Sequence, residues 1–155
     1  MLAAIEDMTS DSQLIDLRVA ATKSYKVGMK RILIVDDSPV VLAKLSEDFA
    51  DECDITTAES GEDAIEILED PVRGGICFSN HFDLIITDLI MPGLSGFDLA
   101  DYVRKRNKAN KFTPVILLTT ENISKEKARK HGCAAYFSKA DKQRLISMAK
   151  ILLSF

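Results

Sequence analysis

The stretch of residues 83–96, DLIITDLIMPGLSG, constrains the fold most, because an apolar run ends in a carboxylate and turn residues follow at once. The run 84–86 precedes Thr87 and Asp88, and Pro92 comes shortly after them. Buried parallel strands have this near-continuous apolar composition and are bounded by turn residues. An acid at the carboxyl end of such a strand faces the crevice in which open α/β sheets bind ligands. A lone acid there is equally consistent with a helix cap or a loop residue.

A second apolar run ends in the same way, in the segment KRILIVDDSP of residues 30–39, where Asp36 and Asp37 follow the run directly. Two strands would thus deliver Asp36, Asp37 and Asp88 to one edge of a sheet. Clustered carboxylates repel one another, and a hard divalent cation with oxygen ligands relieves that repulsion. The sequence therefore predicts a site for a polyvalent cation at this edge.

The rest of the pattern predicts an α/β domain in which five strands alternate with five helices. The predicted strands are 32–35, 55–58, 83–88, 115–118 and 134–138, and the predicted helices begin near 39, 61, 97, 124 and 142. This alternation predicts a three-layer, doubly wound parallel sheet covered by helices on both faces. The strand order 2-1-3-4-5 places the first and third strands side by side. The three acids then converge, and Thr119 and Lys139 lie beside them on the fourth and fifth strands.

Composition restricts the class of protein. With 155 residues, 46% of them hydrophobic and 28% charged, the chain suits one globular domain. The net charge of −4 argues against nucleic acid as the partner of the whole domain. Cys53, Cys77 and Cys133 form no C-x-x-C pair, which is typical of a reducing compartment. We recognise no secretory signal and no apolar run of membrane-spanning length, so we expect a soluble, cytoplasmic protein with no membrane partner.

The chain divides into an N-terminal extension, residues 1–29, and one domain, residues 30–155. Residues 14–21 of the extension have a partly helical apolar pattern. The alternatives for this segment are a frayed tail or linker helix, and a helix that docks on the domain or on a second copy. Residues 70–82 indicate a loop that is long for such a connection.

The ordered set of polar residues resembles the bacterial response-regulator receiver domain, the chemotaxis-regulator-like module of two-component systems. The matching residues are Asp36 and Asp37, Asp88 with Met91, Pro92 and Gly96 behind it, Thr119 at the end of PVILLT, Tyr136 and Lys139. The resemblance covers residues 30–155 and implies a flavodoxin-like receiver fold. It further implies a signalling module that catalyses only its own phosphorylation and dephosphorylation, and not a metabolic enzyme.

By this resemblance Asp88 is the phosphoryl acceptor, and the donor is a sensor histidine kinase or a histidine phosphotransfer protein. Asp37 and Asp88, with the main-chain carbonyl of Ile90, would hold Mg²⁺ or Mn²⁺, and Asp36 would contribute through water. A carboxylate nucleophile that forms an aspartyl phosphate is an established covalent strategy. Phosphoryl transfer needs mostly positioning and charge neutralisation, which such a cation supplies.

The resemblance implies roles for three further residues. Thr119 and Lys139 would bind the phosphoryl oxygens, and Tyr136 would change rotamer together with Thr119. The surface switched in this way is formed by the fourth helix, the fifth strand and the fifth helix. It would bind a downstream protein, an output domain or a second copy of the chain.

Three positions depart from the family pattern: Thr120, Ala140 and Ile90. Thr120 stands where a small residue, usually alanine, is common, and we expect its extra bulk to slow or bias access to Asp88. Ala140 stands where a proline with a cis peptide bond is usual, and a non-proline cis bond costs about 2.5–4 kcal/mol, so we expect a trans bond. Ile90 is apolar where many relatives have a polar residue. Because an apolar side chain positions an attacking water poorly, we expect slow self-dephosphorylation.

Two other functions stay open at this point: a degenerate receiver that binds a partner without phosphorylation, and a Mg²⁺-dependent phosphatase or nuclease. Phosphatases of the haloacid-dehalogenase type need a second aspartate two residues after the nucleophile, and neither Asp36 nor Asp88 has one. The chain contains no G-x-x-x-x-G-K-[ST] and no G-x-G-x-x-G, which excludes NTP and dinucleotide sites of those types.

Two basic clusters lie outside the matching set. They are Arg104, Lys105, Arg106, Lys108 and Lys111, then Lys125, Lys127, Arg129 and Lys130. Cations near a helix C-terminus are favoured by the helix dipole, so we expect solvated helix faces and no nucleic-acid binding. For the second cluster, on the predicted fourth helix, a surface for a protein partner is the alternative.

Overall fold

The computed structural model describes residues 28–70 and 80–154, so most of the predicted extension 1–29 and of the loop 70–82 lies outside the described residues. The strands are β1 (Lys30–Val35), β2 (Cys53–Ala58), β3 (Leu84–Asp88), β4 (Val115–Thr119) and β5 (Ala135–Ser138). The helices are α1 (Pro39–Phe49), α2 (Gly61–Glu69), α3 (Gly96–Arg106), α4 (Lys125–Lys130) and α5 (Lys142–Leu153), with 3₁₀ turns at Lys108–Asn110 and Lys139–Asp141. None of the helices in these described ranges is long and apolar enough to cross a membrane.

The five strands found in the described residues form one parallel sheet in the order β2-β1-β3-β4-β5, which confirms the predicted fold class and strand order. Side chains of β1 alternate between two cores. Leu33 and Val35 pack under α2, α3 and α4, whereas Ile32 and Ile34 pack under α1 and α5. Every residue of β3 is buried, so the strand that ends in Asp88 lies in the middle of the three layers.

Side-chain caps fix the starts of the helices that follow the carboxyl ends of the strands. The hydroxyls of Ser38 and Ser60 accept main-chain N–H groups at the starts of α1 and α2, and Pro39 occupies the first turn of α1. Ser95 and Asp98 form a reciprocal capping box at the start of α3. The chain therefore turns sharply at the edge of the sheet where the acids lie.

Element boundaries differ from the predicted ones by a few residues. β2 begins at Cys53 and not at 55, because Cys53 and Asp54 continue the pairing with Lys30 and Arg31 of β1. Because Asp54 is polar, the apolar run that predicts this strand begins only at residue 55. The sequence pattern predicts a last helix over 142–155, whereas α5 ends at Leu153.

A buried asparagine network closes the opposite edge of the sheet. Asn110 Oδ1 accepts from Phe82 N at 2.7 Å and from Thr113 Oγ1 at 3.1 Å, while its Nδ2 donates to Asn107 Oδ1 at 2.9 Å. Asn107 Nδ2 in turn donates to Leu68 O at 3.2 Å. These bonds satisfy buried polar groups where α2, α3 and β3 meet. No local sequence pattern predicts them.

One residue of the first basic cluster is not part of a solvated helix face. Arg104 is half-buried, and its guanidinium donates to the main-chain oxygens of Gly132 and Lys111. The prediction of a solvated face was therefore wrong for Arg104, because its long side chain reaches across to the end of α4. Lys105 at the end of α3 and Lys108 in the 3₁₀ turn after it are exposed, as expected.

Candidate functional site

Three carboxylates meet at the carboxyl edge of the sheet. Asp36 follows β1 directly, with its main-chain N–H donating to Ala58 O at 3.1 Å, and Asp88 is the last residue of β3. Asp36, Asp37 and Asp88 each contribute one oxygen to a group whose members all lie within 4.8 Å of one another. Asp36 and Asp88 are only 1% and 6% exposed, whereas Asp37 faces solvent. The structure thus brings together the three acids singled out in the sequence.

Lys139 lies between two of these carboxylates. Its Nζ is 3.0 Å from Asp88 Oδ2 and 3.1 Å from Asp36 Oδ2. The residue opens a 3₁₀ turn, and Ser138 Oγ caps that turn by accepting from Ala140 N at 3.2 Å. The peptide bond between Lys139 and Ala140 is trans, as expected. The loop path without the usual proline therefore still delivers the ammonium to the acids.

Burial and charge act together on this group. Burial raises the pKa of Asp36 and the charge of Asp88 adds to the rise, against hydrogen bonds from Ser38 N–H and Lys139. Burial acts to lower the pKa of Lys139, but its hydrogen bonds to Asp88 and Asp36 and their charges outweigh burial and raise that pKa overall. The ammonium is therefore charged at neutral pH and compensates only part of the acidic charge.

The acidic group has the donor chemistry of a divalent-cation site. Two carboxylates about 5 Å apart repel by about 3 kcal/mol at an effective dielectric constant of about 20. Three ionised carboxylates and one ammonium leave two negative charges, which a divalent cation balances. Mg²⁺ prefers hard oxygen donors, takes one or two carboxylates and keeps several waters. Asp36, Asp37 and Asp88 therefore fit such an ion.

The other two residues of the predicted set lie on β4 and β5. Thr119 ends β4 and is 2% exposed, one residue beyond the Leu118 that pairs with Asp88. Its Oγ1 accepts from Glu121 N at 3.0 Å. Tyr136 of β5 is half-buried against the core under α2, α3 and α4. Thr119 thus shares the edge with the acids, and Tyr136 lies further from that edge along its strand.

The loop between β3 and α3 carries Ile90, whose side chain is 60% exposed. Gly96 N donates to Leu89 O at 2.9 Å and closes the loop onto the strand. A side chain at Gly96 would collide with the main-chain oxygen of Asp88, so glycine is required where the helix approaches the end of β3. The backbone around Asp88 and Ile90 is therefore closely fitted to α3.

Glu62 holds the same loop from the side of α2. Its Oε1 accepts from Leu94 N at 2.9 Å, and this hydrogen bond lowers the pKa of the carboxyl. Gly93 has a φ of 82°, and a Cβ there would collide with the Glu62 carboxylate. No sequence signal indicates the contact between Glu62 and Leu94, because they are 32 positions apart and an acid at a helix start needs no distant partner to explain it.

A family model described as "Response regulator receiver domain" matches residues 32–150. Protein PilH of Pseudomonas aeruginosa is 30% identical over 130 residues, which cover 81% of this chain and 99% of PilH. The chain spans 35%, 46% and 53% of the lengths of three other curated relatives that it matches.

Solved structures are similar over the same part of the chain. The chemotaxis response regulator CheY4 of Vibrio cholerae superimposes with a TM-score of 0.67 at 28% identity and covers 81% of this chain and 99% of its own. The response regulator TrrA of Thermotoga maritima, solved in complex with Mg²⁺–BeF, gives a TM-score of 0.64 at 34% identity, with coverages of 81% and 100%. Both TM-scores show that these structures share the fold described above.

We expect the substitution Asp36→Asn to raise the melting temperature of the metal-free protein at neutral pH. Because the pKa of Asp36 is raised in the folded chain, the ionised carboxylate destabilises the fold above that pKa, and the penalty is absent below the pKa of the unfolded chain. A gain of a few degrees, for about 1 kcal/mol, is expected near pH 7 in EDTA and should vanish at about pH 4.

Thermal unfolding followed by circular dichroism measures this shift. Asp51→Asn, which neutralises an exposed acid outside the group, serves as the control and should leave the melting temperature unchanged. A lower melting temperature for Asp36→Asn near pH 7 would contradict the argument from clustered charge.

We expect Glu62→Ala to weaken Mg²⁺ binding, because the loop that carries Ile90 loses its hydrogen bond at Leu94. Losing one hydrogen bond of this kind corresponds to a weakening of up to roughly tenfold. Glu62→Gln keeps an acceptor oxygen and should restore most of the affinity. Titration of Mg²⁺ followed by tyrosine fluorescence or calorimetry measures the effect, and equal affinities of Glu62→Ala and the parent chain would refute it.

Proposed function

The chain belongs to the response regulator receiver domain family, and we propose that it accepts a phosphoryl group on Asp88 and passes this signal to a protein partner. Receiver domains of two-component response regulators are phospho-accepting signalling modules. The observation that supports Asp88 as acceptor is the meeting of three carboxylates and one ammonium at the carboxyl edge of the sheet. The receiver that we propose spans residues 30–155, with residues 1–29 as an extension.

The donor that we infer for this chain is a phosphohistidine. Receiver domains interact with histidine kinases or phosphotransfer proteins and with output domains. An Asp88 oxygen would attack phosphorus, an O–P bond would form as the P–N bond breaks, and the donor imidazole would leave. The Lys139 ammonium, 3.0 Å from Asp88 Oδ2, would neutralise charge on the transferred group.

The acidic group would hold the metal that this family uses. Asp37, Asp88 and the main-chain carbonyl of Ile90 would bind Mg²⁺ or Mn²⁺, and Asp36 would contribute through water. The ion, when bound, supplies charge neutralisation at the phosphoryl oxygens. The protein's own part is to hold these oxygens in place, which the Glu62 contact with the loop supports.

The switch that we propose starts at Thr119. Its hydroxyl accepts from Glu121 N in the present state and would turn to a phosphoryl oxygen once Asp88 is modified. Tyr136 would follow, and the surface of α4, β5 and α5 would change. That surface already has a groove of about 310 Å³ lined by Phe137, Met148 and Ile151 among others, which suits a downstream protein, an output domain or a second copy.

The three acids in contact with an ammonium disfavour the two rival functions, a degenerate receiver and a phosphatase or nuclease. The phosphorylation assay described below separates all three. A degenerate receiver has no need of three acids and an ammonium in contact, and a phosphatase or nuclease would turn over an added substrate.

We propose a cytoplasmic location, which is supported by cysteine spacing typical of a reducing compartment.

We expect the chain to gain one phosphate when it is incubated with Mg²⁺ and acetyl phosphate, as measured by intact mass spectrometry. Asp88→Asn should abolish the gain, because the amide is not a nucleophile for this step. Thr87→Ser, next to the acceptor and with its hydroxyl kept, is the matched control and should retain the gain. Phosphate uptake by Asp88→Asn would overturn the assignment, and release of product from phosphate esters or nucleic acid would favour the enzyme.

We expect a long-lived phosphorylated state, because the exposed Ile90 side chain offers no hydrogen bond to an attacking water. Ile90→Asn should shorten the lifetime roughly tenfold, which corresponds to about 1.4 kcal/mol of barrier. Decay of the phosphorylated mass after removal of acetyl phosphate measures it, with Ile90→Val as control. A parent lifetime of only seconds would contradict the prediction.

A further inference from the structure

The two basic clusters of the sequence meet on one surface, between α3 and α4. Arg104 of α3 donates from Nε and Nη2 to Gly132 O, at 3.1 and 2.8 Å, just after α4 ends. One turn earlier, Asp101 Oδ2 lies 3.0 Å from His131 Nδ1. Another turn earlier, the ring of Phe97 stacks on His131 with 4.3 Å between centroids. The stripe of α3 that contains Phe97, Asp101 and Arg104 therefore faces α4.

Exposed lysines continue this junction outward, and we call them the α3–α4 basic surface. They are Lys105, Lys108, Lys111, Lys127 and Lys130. Lys105 lies one turn beyond Asp101 on α3, and Lys108 begins the 3₁₀ turn that follows the helix. Lys127 reaches back to α3, with its Nζ 5.6 Å from the centroid of the Phe97 ring. Arg104 also donates to Lys111 O at 2.6 Å, which holds the following loop beside the helix ends.

The charge of this region contrasts with that of the whole chain. Residues 104–130 contain nine of the 20 lysines and arginines and only two acids, a net of +7, whereas the whole chain carries −4. The remaining residues therefore carry −11. The two acids of this region, Glu121 and Glu126, are already included in its net charge of +7. Because charges in physiological salt are screened over about 8 Å, acids further away contribute little to the field that a ligand meets here.

An exposed aromatic ring stands at one end of the surface. Phe112 is 88% exposed, and Lys111 Nζ lies 5.7 Å from its ring centroid. An aromatic side chain next to cations on a loop is typical of an anchor in a protein interface. Phe112 precedes β4, so it lies at the edge of the sheet opposite Asp88, and this surface contains none of the residues assigned to phosphoryl transfer.

We propose that the α3–α4 basic surface, with Phe112, binds an acidic segment of a partner protein in which several Asp or Glu residues flank an apolar side chain. The carboxylates would pair with the lysines, and the apolar side chain would cover Phe112. Nucleic acid or an anionic membrane fits less well, because an extended polyanion would also meet the acidic remainder of the domain. Arg104, the guanidinium at the centre, already donates to two carbonyls and offers no free fork to a phosphate.

The test uses the full chain and a fluorescein-labelled peptide of about ten residues, mostly Glu and Asp around one Phe, which spans at most about 35 Å. Fluorescence anisotropy measures its binding. Lys127→Glu/Lys130→Glu should weaken binding by about tenfold or more. Lys125→Glu/Arg129→Glu is the matched control, since it makes the same charge change on the other side of the same helix, and it should change affinity less than about twofold. Phe112→Ser should weaken binding without changing its salt dependence.

The outcomes separate the occupants and the functions. Equal loss in both α4 variants, or no binding of the peptide to the parent chain, would overturn the proposal. Tighter binding of phosphatidylserine vesicles or of duplex DNA than of the peptide, lost in Lys127→Glu/Lys130→Glu, would contradict the proposal. It would show that the surface binds that polyanion and not an acidic protein segment. Phosphate uptake by Lys127→Glu/Lys130→Glu should equal that of the parent chain, which verifies the fold and keeps this test independent of the function of Asp88.

Discussion

The carboxylates at the ends of two adjacent strands repel one another, and the rest of the structure has to offset this repulsion. β1 and β3 lie side by side because their apolar residues are buried on both faces, and this adjacency forces Asp36 and Asp88 together. Lys139 contacts both acids and compensates part of their charge. The core thus holds in place an arrangement of like charges that would not persist by itself, and the remaining imbalance favours a divalent cation.

The fold and the principal acids could be predicted because their signals are local. Apolar runs of strand length, serine caps and glycine at turns are each read within a few residues. The doubly wound topology then follows from alternation, and strand ends bring Asp36, Asp37 and Asp88 to one edge. The positions of Thr119 and Lys139 follow from the same rule, since each stands at or just beyond the end of an apolar strand.

Contacts that long side chains make between distant segments could not be predicted from the sequence. Glu62 and Leu94 are 32 positions apart, and Arg104 and Gly132 are 28 apart. Nothing near either residue in the chain indicates such a partner, because an acid at a helix start and an arginine at a helix end are already explained by the helix dipole. The network around Asn110 was missed for a related reason: asparagine between a helix and a strand also suits a solvated turn.

The setting of Lys139 has a mechanical consequence. β5 pairs with β4 alone in this sheet, and none of its four residues is fully buried, yet Lys139 follows it directly and α5 begins three residues later. A new charge at Asp88, as proposed, would attract that ammonium and so act on an edge strand whose side chains are only partly buried. Under the proposed function, a modification of the buried Asp88 carboxylate would in this way reach the surface around β5, which lies outside the most deeply buried parts of both hydrophobic cores.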